Sequence, residues 1–258
     1  MENKKEKLED FKAAISSTVR SLSNSHKIEV SFGNEKSSSK KNSIKLPEIQ
    51  KMDNKVNFDE IRAMADSKSL NFRFSNEKIL RKYEPDGNIS KKLYSISEKI
   101  RCEKIGSSYF KGVKNNIEKF YQKRVSGLDL KSSEDKIVES FENYLRIKFL
   151  DFKNENQVEK KLKSYKKDLN DQFKSKITEL KDITLDQAKF NSLISKLITN
   201  MSLDENFEEE QKRDDQNEEE NKNPETQNQE KKSKEKEEKH IEMSIDSGVP
   251  DLENEAKD

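Results

Sequence analysis

The architecture of this chain is set by two stretches, residues 58–70, FDEIRAMADSKSL, and residues 89–105, ISKKLYSISEKIRCEKI. In both stretches apolar residues recur every three or four positions, which is the spacing of one face of an α-helix. The Pro-Asp-Gly sequence at residues 85–87 favours a turn between them. Gly106, directly after the second stretch, predicts a helix C-terminus, where a positive φ angle is often required. The centre of the chain is therefore predicted to contain two helices.

The same helical spacing covers much of the first 203 residues. An alternation of apolar and polar residues at 28–32 predicts one short strand, with residues 44–46 as its candidate partner. Thr184 and Gln187 have the spacing of a capping box at the start of a last helix. Further helices are predicted at residues 5–23, 113–121, 137–149, 158–180 and 184–201. The predicted fold class is mainly α, a helical domain with a minor β element near residues 28–32.

The C-terminal part of the chain differs in composition from the rest. Residues 204–258 contain 21 acidic and 9 basic side chains, whereas residues 1–203 contain 30 acidic and 43 basic ones. The near-neutral total of +1 therefore combines a basic body of +13 with an acidic segment of −12. Only seven of the last 55 residues are hydrophobic, too few for a core. We predict a helical domain at 1–203 and a disordered acidic low-complexity tail at 204–258.

Few side chains in this sequence suit catalysis or metal binding. Cys102 is the only cysteine, which excludes an intrachain disulfide and a cysteine-rich zinc site. The chain has two histidines and neither a glycine-rich phosphate loop nor an Asp-x-Ser-x-Ser metal motif. We predict that Cys102 packs in a helix interface and that His26 lies on the surface. The residues alone predict no catalytic, cofactor-binding or metal-binding site.

The chain carries no visible signal for export or membrane insertion. Its N-terminus, MENKKEKLED, is charged, and no run of about 18 apolar residues occurs in the sequence. We therefore expect a cytoplasmic protein without a membrane partner.

Three short motifs resemble a known family. They are Ala65-Asp66-Ser67, the helix segment Arg101-Cys102-Glu103-Lys-Ile-Gly106, and Gly112-Val113-Lys-Asn-Asn116-Ile117. In this order and spacing they are similar to the N-terminal region of the CobT subunit of aerobic cobaltochelatase. The strand segment HKIEVSFGNE and the opening helix FKAAISSTVRSLS resemble the same family, so the similarity covers about residues 10–203. An acidic low-complexity linker is also typical of these proteins.

The resemblance implies a non-catalytic subunit acting in cobalamin biosynthesis. In that enzyme an AAA+ ATPase ring and a large corrin-binding subunit insert Co²⁺ into a corrin ring at the expense of ATP, and CobT joins them. ATP, Mg²⁺ and Co²⁺ would belong to the assembly, with no cofactor in this chain. A von Willebrand A domain with an Asp-x-Ser-x-Ser site follows the linker in the family, and these 258 residues lack that motif.

Six polar positions in the motif region are candidate partner contacts. Salt bridges between the two central helices explain their presence equally well, because ion pairs also fix helix register. The six residues are Arg62, Asp66, Arg73, Arg81, Arg101 and Glu103.

Two other functions compete with the adaptor hypothesis. The basic body and the lysines of residues 158–180 would suit nucleic-acid binding, although only 8 of the 52 cations are arginine and the tail is acidic. A degenerate remnant of a CobT-like subunit is the third hypothesis. The tail either associates loosely with the basic body or acts only as a solvated spacer.

Overall fold

The computed structural model describes residues 2–33, 42–49, 58–127, 132–153 and 166–203. The predicted tail at 204–258 lies outside these residues. Lysines 160, 161 and 163 of the predicted long helix also lie outside them.

The described part of the chain is mainly helical, as predicted, with two short strands. Its order is one helix, the two strands, and then helices to the end. The elements are α1 Glu2–Leu22, β1 Glu29–Phe32, β2 Ser43–Leu46, α2 Phe58–Phe74, α3 Glu77–Lys82, α4 Asn88–Tyr109, α5 Lys111–Ser126, α6 Ser133–Lys148, α7 Lys166–Phe173, α8 Ile177–Asp182 and α9 Gln187–Thr199.

A smaller core joins α1, the two strands and the first half of α2. The predicted strand and its candidate partner pair in parallel, with Glu29 opposite Ser43. One face of α1 supplies Ile15 and Val19, both buried, because its apolar residues recur at helical spacing. They pack with residues from the strands and from α2 in a single hydrophobic cluster.

A larger core joins the second half of α2 to α4, α5, α6 and α9. Helix α4 lies at its centre, since it contacts α2, α5, α6 and α9. Leu70, Leu93, Phe141 and Ile194 are fully buried there. Leu70 on α2 and Cys102 on α4, within or beside the family-like motifs, therefore belong to this larger core.

The predicted helix at 158–180 is not continuous. Helix α7 ends at Phe173, and α8 begins only at Ile177. Leu169, Phe173 and Leu180 are nevertheless all buried, so the apolar stripe continues across the break. The sequence pattern cannot distinguish one long helix from two short ones that bury the same face.

The predicted capping box at Thr184 is also wrong. Asp186 is the N-cap of α9, where its Oδ1 accepts the Lys189 backbone N–H at 3.1 Å. The Thr184 hydroxyl instead faces two carbonyl oxygens of the preceding turn, of Lys181 at 2.8 Å and of Leu180 at 3.1 Å. Gln187 Oε1 accepts the Asn76 backbone N–H at 2.8 Å and so ties α9 to the start of α3.

Candidate functional site

The three family-like motifs meet in space, where α2, α4 and α5 pack together. The Asn116 side-chain amide on α5 donates to Asp66 on α2, with 2.8 Å between Nδ2 and Oδ2. The Ser67 hydroxyl on α2 donates to Glu103 on α4, with 2.6 Å between Oγ and Oε1. Asp66, Ser67 and Glu103 are all buried. These polar motif positions therefore hold the three helices to one another.

Gly106 serves this packing and does not end the helix as predicted. It lies inside α4, which continues to Tyr109. A Cβ at position 106 would lie 2.3 Å from Leu70 Cδ2, well inside van der Waals contact. The glycine is therefore required because the backbone of α4 approaches the Leu70 side chain closely.

Arg101 is a buried connector between distant parts of the chain, with 1% of its surface exposed. Its guanidinium donates to both carboxylate oxygens of Glu98, each at 2.8 Å. It also donates to the Phe74 carbonyl oxygen at 2.6 Å and to the Thr184 carbonyl oxygen at 3.0 Å. The C-terminus of α2, the centre of α4 and the loop before α9 are thus joined by one side chain.

A second set of charges, four of them buried and one half-buried, joins α4, α5 and α6, and we call it the ion network. Its members are Glu103 on α4, Arg124 on α5, and Glu139, Glu142 and Arg146 on α6. Arg146 donates to Glu103 at 2.7 Å and to Glu142 at 2.7 and 2.9 Å. Arg124 donates to Glu142 at 2.8 Å and to Glu139 at 2.5 and 3.0 Å. Each arginine therefore bridges two carboxylates.

The pKa values of the two carboxylates that pair with Arg124 are shifted in opposite directions. Burial alone would raise the pKa of Glu142, but Arg124 and Arg146 outweigh burial and hold that pKa well below its usual range. Burial raises the pKa of Glu139, and its attraction to Arg124 offsets this only in part. Glu142 faces two guanidinium groups whereas Glu139 bonds to one. Glu142 is therefore the more firmly ionised of the pair.

Tyr121 lies between the two arginines of the ion network. The guanidinium carbons of Arg124 and Arg146 lie 5.3 and 4.6 Å from the centre of its ring. Its hydroxyl is buried and has no hydrogen-bond partner in the structure, and burial raises its pKa well above the ordinary value. Tyr121 therefore contributes its aromatic face to the network rather than its hydroxyl.

The remaining candidate arginines are exposed. Arg62, at the first turns of α2, interacts electrostatically with Asp66, whose pKa burial raises. Arg73, at the other end of α2, donates to the Leu22 carbonyl oxygen at 3.2 Å. Arg81 on α3 pairs with Glu77 at 2.5 Å, and more than half of each side chain is exposed. These three side chains are available at the surface.

An aromatic surface lies beside Arg73. The guanidinium carbon of Arg73 is 5.2 Å from the centre of the Phe74 ring, which stacks on Tyr109 at 6.5 Å. Tyr109 is 65% exposed and Phe72 is 36% exposed, so both rings are accessible to a partner. We call Phe72, Arg73, Phe74 and Tyr109 the α2 end surface.

Of the six candidate residues, three are buried and three exposed. Asp66, Arg101 and Glu103 stabilise the fold from within, whereas Arg62, Arg73 and Arg81 face outward. Sequence reasoning missed Arg124, Glu139, Glu142 and Arg146. One signal was present: arginine is rare in this lysine-rich chain, and its bidentate geometry suits buried pairs.

Potential metal ligands are scattered among the described residues. Nowhere among them do three His, Cys, Asp or Glu side chains group closely enough to hold a metal ion. Cys102 is fully buried, as the packing prediction required, and burial raises the pKa of its thiol well above the usual range. His26 is exposed just before β1, also as predicted. Within the part that the structure describes, no helix could cross a membrane.

Comparison with known proteins identifies the family. The family model described as cobalamin biosynthesis protein CobT matches residues 5–258. No solved structure matches the chain.

Proposed function

Because the chain belongs to the CobT family of cobalamin biosynthesis proteins, we propose that it is the non-catalytic adaptor of a cobaltochelatase in the cytoplasm. In this role it binds an AAA+ ATPase ring and passes the ring's conformational changes to the large corrin-binding subunit. ATP and Mg²⁺ act on the ATPase subunit, and Co²⁺ and the corrin are substrates of the assembly. The proposal assigns none of them to a side chain of this protein.

The observation that carries the proposal is the division of the motif residues into a buried and an exposed set. An adaptor that transmits a displacement must resist deformation between its two contacts. Glu103 connects α4 to Ser67 on α2 and to Arg146 on α6, while Arg101 connects α4 to Phe74 and Thr184. A force applied at α2 is therefore carried directly to α4 and α6.

The surface proposed to receive that force is the α2 end surface, together with Arg62 and Arg81. Tyrosine and arginine are enriched among the residues that dominate binding energy in protein interfaces. Arg73 is held over Phe74 and by the Leu22 carbonyl oxygen, so little side-chain entropy remains to be lost on binding. A partner with acidic and apolar side chains fits this surface.

Charge reversal in the full-length chain tests the proposal. We expect the triple variant R62E/R73E/R81E to bind the purified ATPase subunit about tenfold more weakly or worse, since each interface arginine contributes on the order of 1 kcal/mol. Its melting temperature should stay within about 3 °C of wild type, because exposed ion pairs contribute little to stability. Affinity is measured by titration calorimetry with the ATPase in its ATP-bound state.

The matched control is K91E/K174E/K196E, which reverses three exposed lysines that lie at the start of α4, between α7 and α8, and on α9. This control should bind the ATPase like wild type. Equal affinities for the two triple variants would contradict the proposed surface. Absence of any binding by the wild-type chain would contradict the adaptor role itself.

A further inference from the structure

The outward face of α5 carries a row of lysines. Lys111, Lys119 and Lys123 are exposed, and we call these three the α5 lysine face; Lys114 is half-buried. Val113, Ile117, Tyr121 and Val125 form the opposite, buried face of the helix. The row therefore points away from the core, because α5 buries its other side against α2 and α4.

The α5 lysine face has no ion-pair partner among the described residues. Glu118 is the single acidic residue of α5, and its carboxylate accepts the Lys153 backbone N–H at 2.7 Å. On other elements some surface lysines are paired: Lys104 and Lys181 both contact Asp151, at 2.9 and 2.8 Å. With five basic residues and one acidic residue, α5 carries the largest net positive charge of the described helices.

The arrangement also contains uncompensated repulsion. Lys119 and Lys123 are four residues apart, a spacing at which like charges destabilise a helix. Lys111 and Lys114 lie at the positive end of the helix dipole, where the first turn has no acidic residue and no side-chain cap. An acidic segment bound along α5 would relieve both effects.

We propose that the α5 lysine face is a docking surface for residues 204–220 of the same chain. This segment contains ten acidic and two basic residues, so it carries −8 of the tail's −12. The remaining residues 221–258 contribute only −4. Charge complementarity therefore selects the first third of the tail.

The segment can reach α5. It follows directly on Leu203, which packs against the larger core. Seventeen residues span up to about 60 Å when extended, whereas a compact body of about 200 residues has a radius of gyration of about 16 Å. Because the segment is covalently joined to the helical body, its effective concentration at α5 is on the order of millimolar. The attraction is between exposed charges, so it weakens as salt rises.

Docking of this segment hides the lysines of α5 from other polyanions, including nucleic acid. A partner displaces the segment from these lysines only if it is more acidic or more complementary in shape. The inference needs no ATPase partner and is therefore independent of the proposed function.

Zero-length cross-linking of the full-length chain tests the proposal. A carbodiimide joins a lysine amine to a carboxylate only where the two touch, and mass spectrometry locates the pairs. We expect the carboxylates of 204–220 to link at least about fivefold more often to the α5 lysines than to control lysines elsewhere. The α5 lysines are Lys111, Lys119 and Lys123, and the controls are Lys91, Lys174 and Lys196. A fivefold ratio of occupancies corresponds to a free-energy difference of about 1 kcal/mol. The links should fall at least about threefold at 1 M salt, where the screening length is about 3 Å.

Mixing isotopically labelled and unlabelled chains separates links within a chain from links between chains. We expect links within one chain. Solution scattering supplies a second measurement: K111E/K119E/K123E should have a larger radius of gyration than wild type at low salt, and K91E/K174E/K196E should not.

Three outcomes would overturn the proposal. The first is an even distribution of links over all exposed lysines. The second is a set of α5 links found only between differently labelled chains. The third is retardation of RNA by the wild-type full chain at about 150 mM salt that K111E/K119E/K123E abolishes, which would show an open nucleic-acid surface.

Discussion

Replacing Arg146 by Met should destabilise this protein more than almost any other single change to a charged residue. The side chain is 2% exposed and donates to two buried carboxylates, Glu103 and Glu142. In the variant, Glu103 keeps only the Ser67 hydroxyl and Glu142 keeps only Arg124. Removing one partner of a buried ion pair costs about 3 to 5 kcal/mol, because the other charge stays buried without compensation.

The loss of unfolding free energy is measured by urea denaturation, with circular dichroism as the signal. A domain of this size shifts its melting temperature by about 2 to 4 °C per kcal/mol, so Arg146→Met should melt about 6 to 20 °C below wild type. Arg81→Met is the matched control, because its single partner Glu77 is exposed. That control should change the free energy of unfolding by less than about 1 kcal/mol.

The pH dependence of the free energy of unfolding tests the same prediction independently. In wild type, Arg124 and Arg146 hold the pKa of Glu142 low despite burial, so ionised Glu142 stabilises the fold above its unfolded pKa. In Arg146→Met the pKa of Glu142 rises. The difference between variant and wild type should therefore narrow as pH falls from 7 toward 5. A variant within about 1 kcal/mol of wild type at pH 7, or a difference that widens on acidification, would refute the reasoning.

Three further changes probe the packing and the buried polar groups. Gly106→Ala should destabilise by about 1 to 3 kcal/mol because its Cβ would overlap Leu70. Leu70→Ala is itself destabilising, but in chemical denaturation the double variant should lose less than the sum of the two single losses, because the smaller side chain removes the overlap. Wild type should gain stability as pH falls through the raised pKa of Glu139, and Glu139→Gln should abolish that gain. Wild type should lose stability as pH falls below about 4.5, the usual pKa of glutamate, and Glu142→Gln should abolish that loss. Urea midpoints measured between pH 7 and 3.5 distinguish the two variants. Asn191→Leu should raise the melting temperature, since Asn191 is fully buried and neither amide atom has a hydrogen-bond partner in the structure; a lower melting temperature would mean that the amide is satisfied.

Hydrophobic periodicity predicted most of the helices because most of them bury one face. Helices α1, α2, α4, α5, α6 and α9 all follow their apolar stripes. Helix α3 was missed because none of its residues is buried, so it has no stripe to detect. The break between α7 and α8 was missed for the opposite reason, since the stripe continues through it.

The candidate site was only partly predictable. Arg101 and Glu103 were singled out as motif positions, and Arg101 pairs locally with Glu98, but other partners come from distant parts of the chain: Thr184 for Arg101 and Arg146 for Glu103. Such long-range pairings depend on how the elements pack in three dimensions. The residues next to each position in a single sequence do not indicate them. Gly106 illustrates the same limit, because a close approach to Leu70 and a helix end both call for glycine.

The exposed positions are the least determined by the sequence. Phe72 and Tyr109 fall within helical segments, where an apolar residue ordinarily predicts burial. Only the packing shows that they remain accessible beside Arg73. The division between interior and surface residues of the motif is therefore a property of the structure.

The most direct test of that division compares Arg73→Glu with Arg101→Met in the full-length chain. For each variant the melting temperature and the dissociation constant for the ATPase subunit are measured together. We predict that Arg73→Glu weakens binding at an unchanged melting temperature, and that Arg101→Met lowers the melting temperature by several degrees. Normal binding by Arg73→Glu, or an unchanged melting temperature in Arg101→Met, would contradict the assignment of these residues to surface and interior.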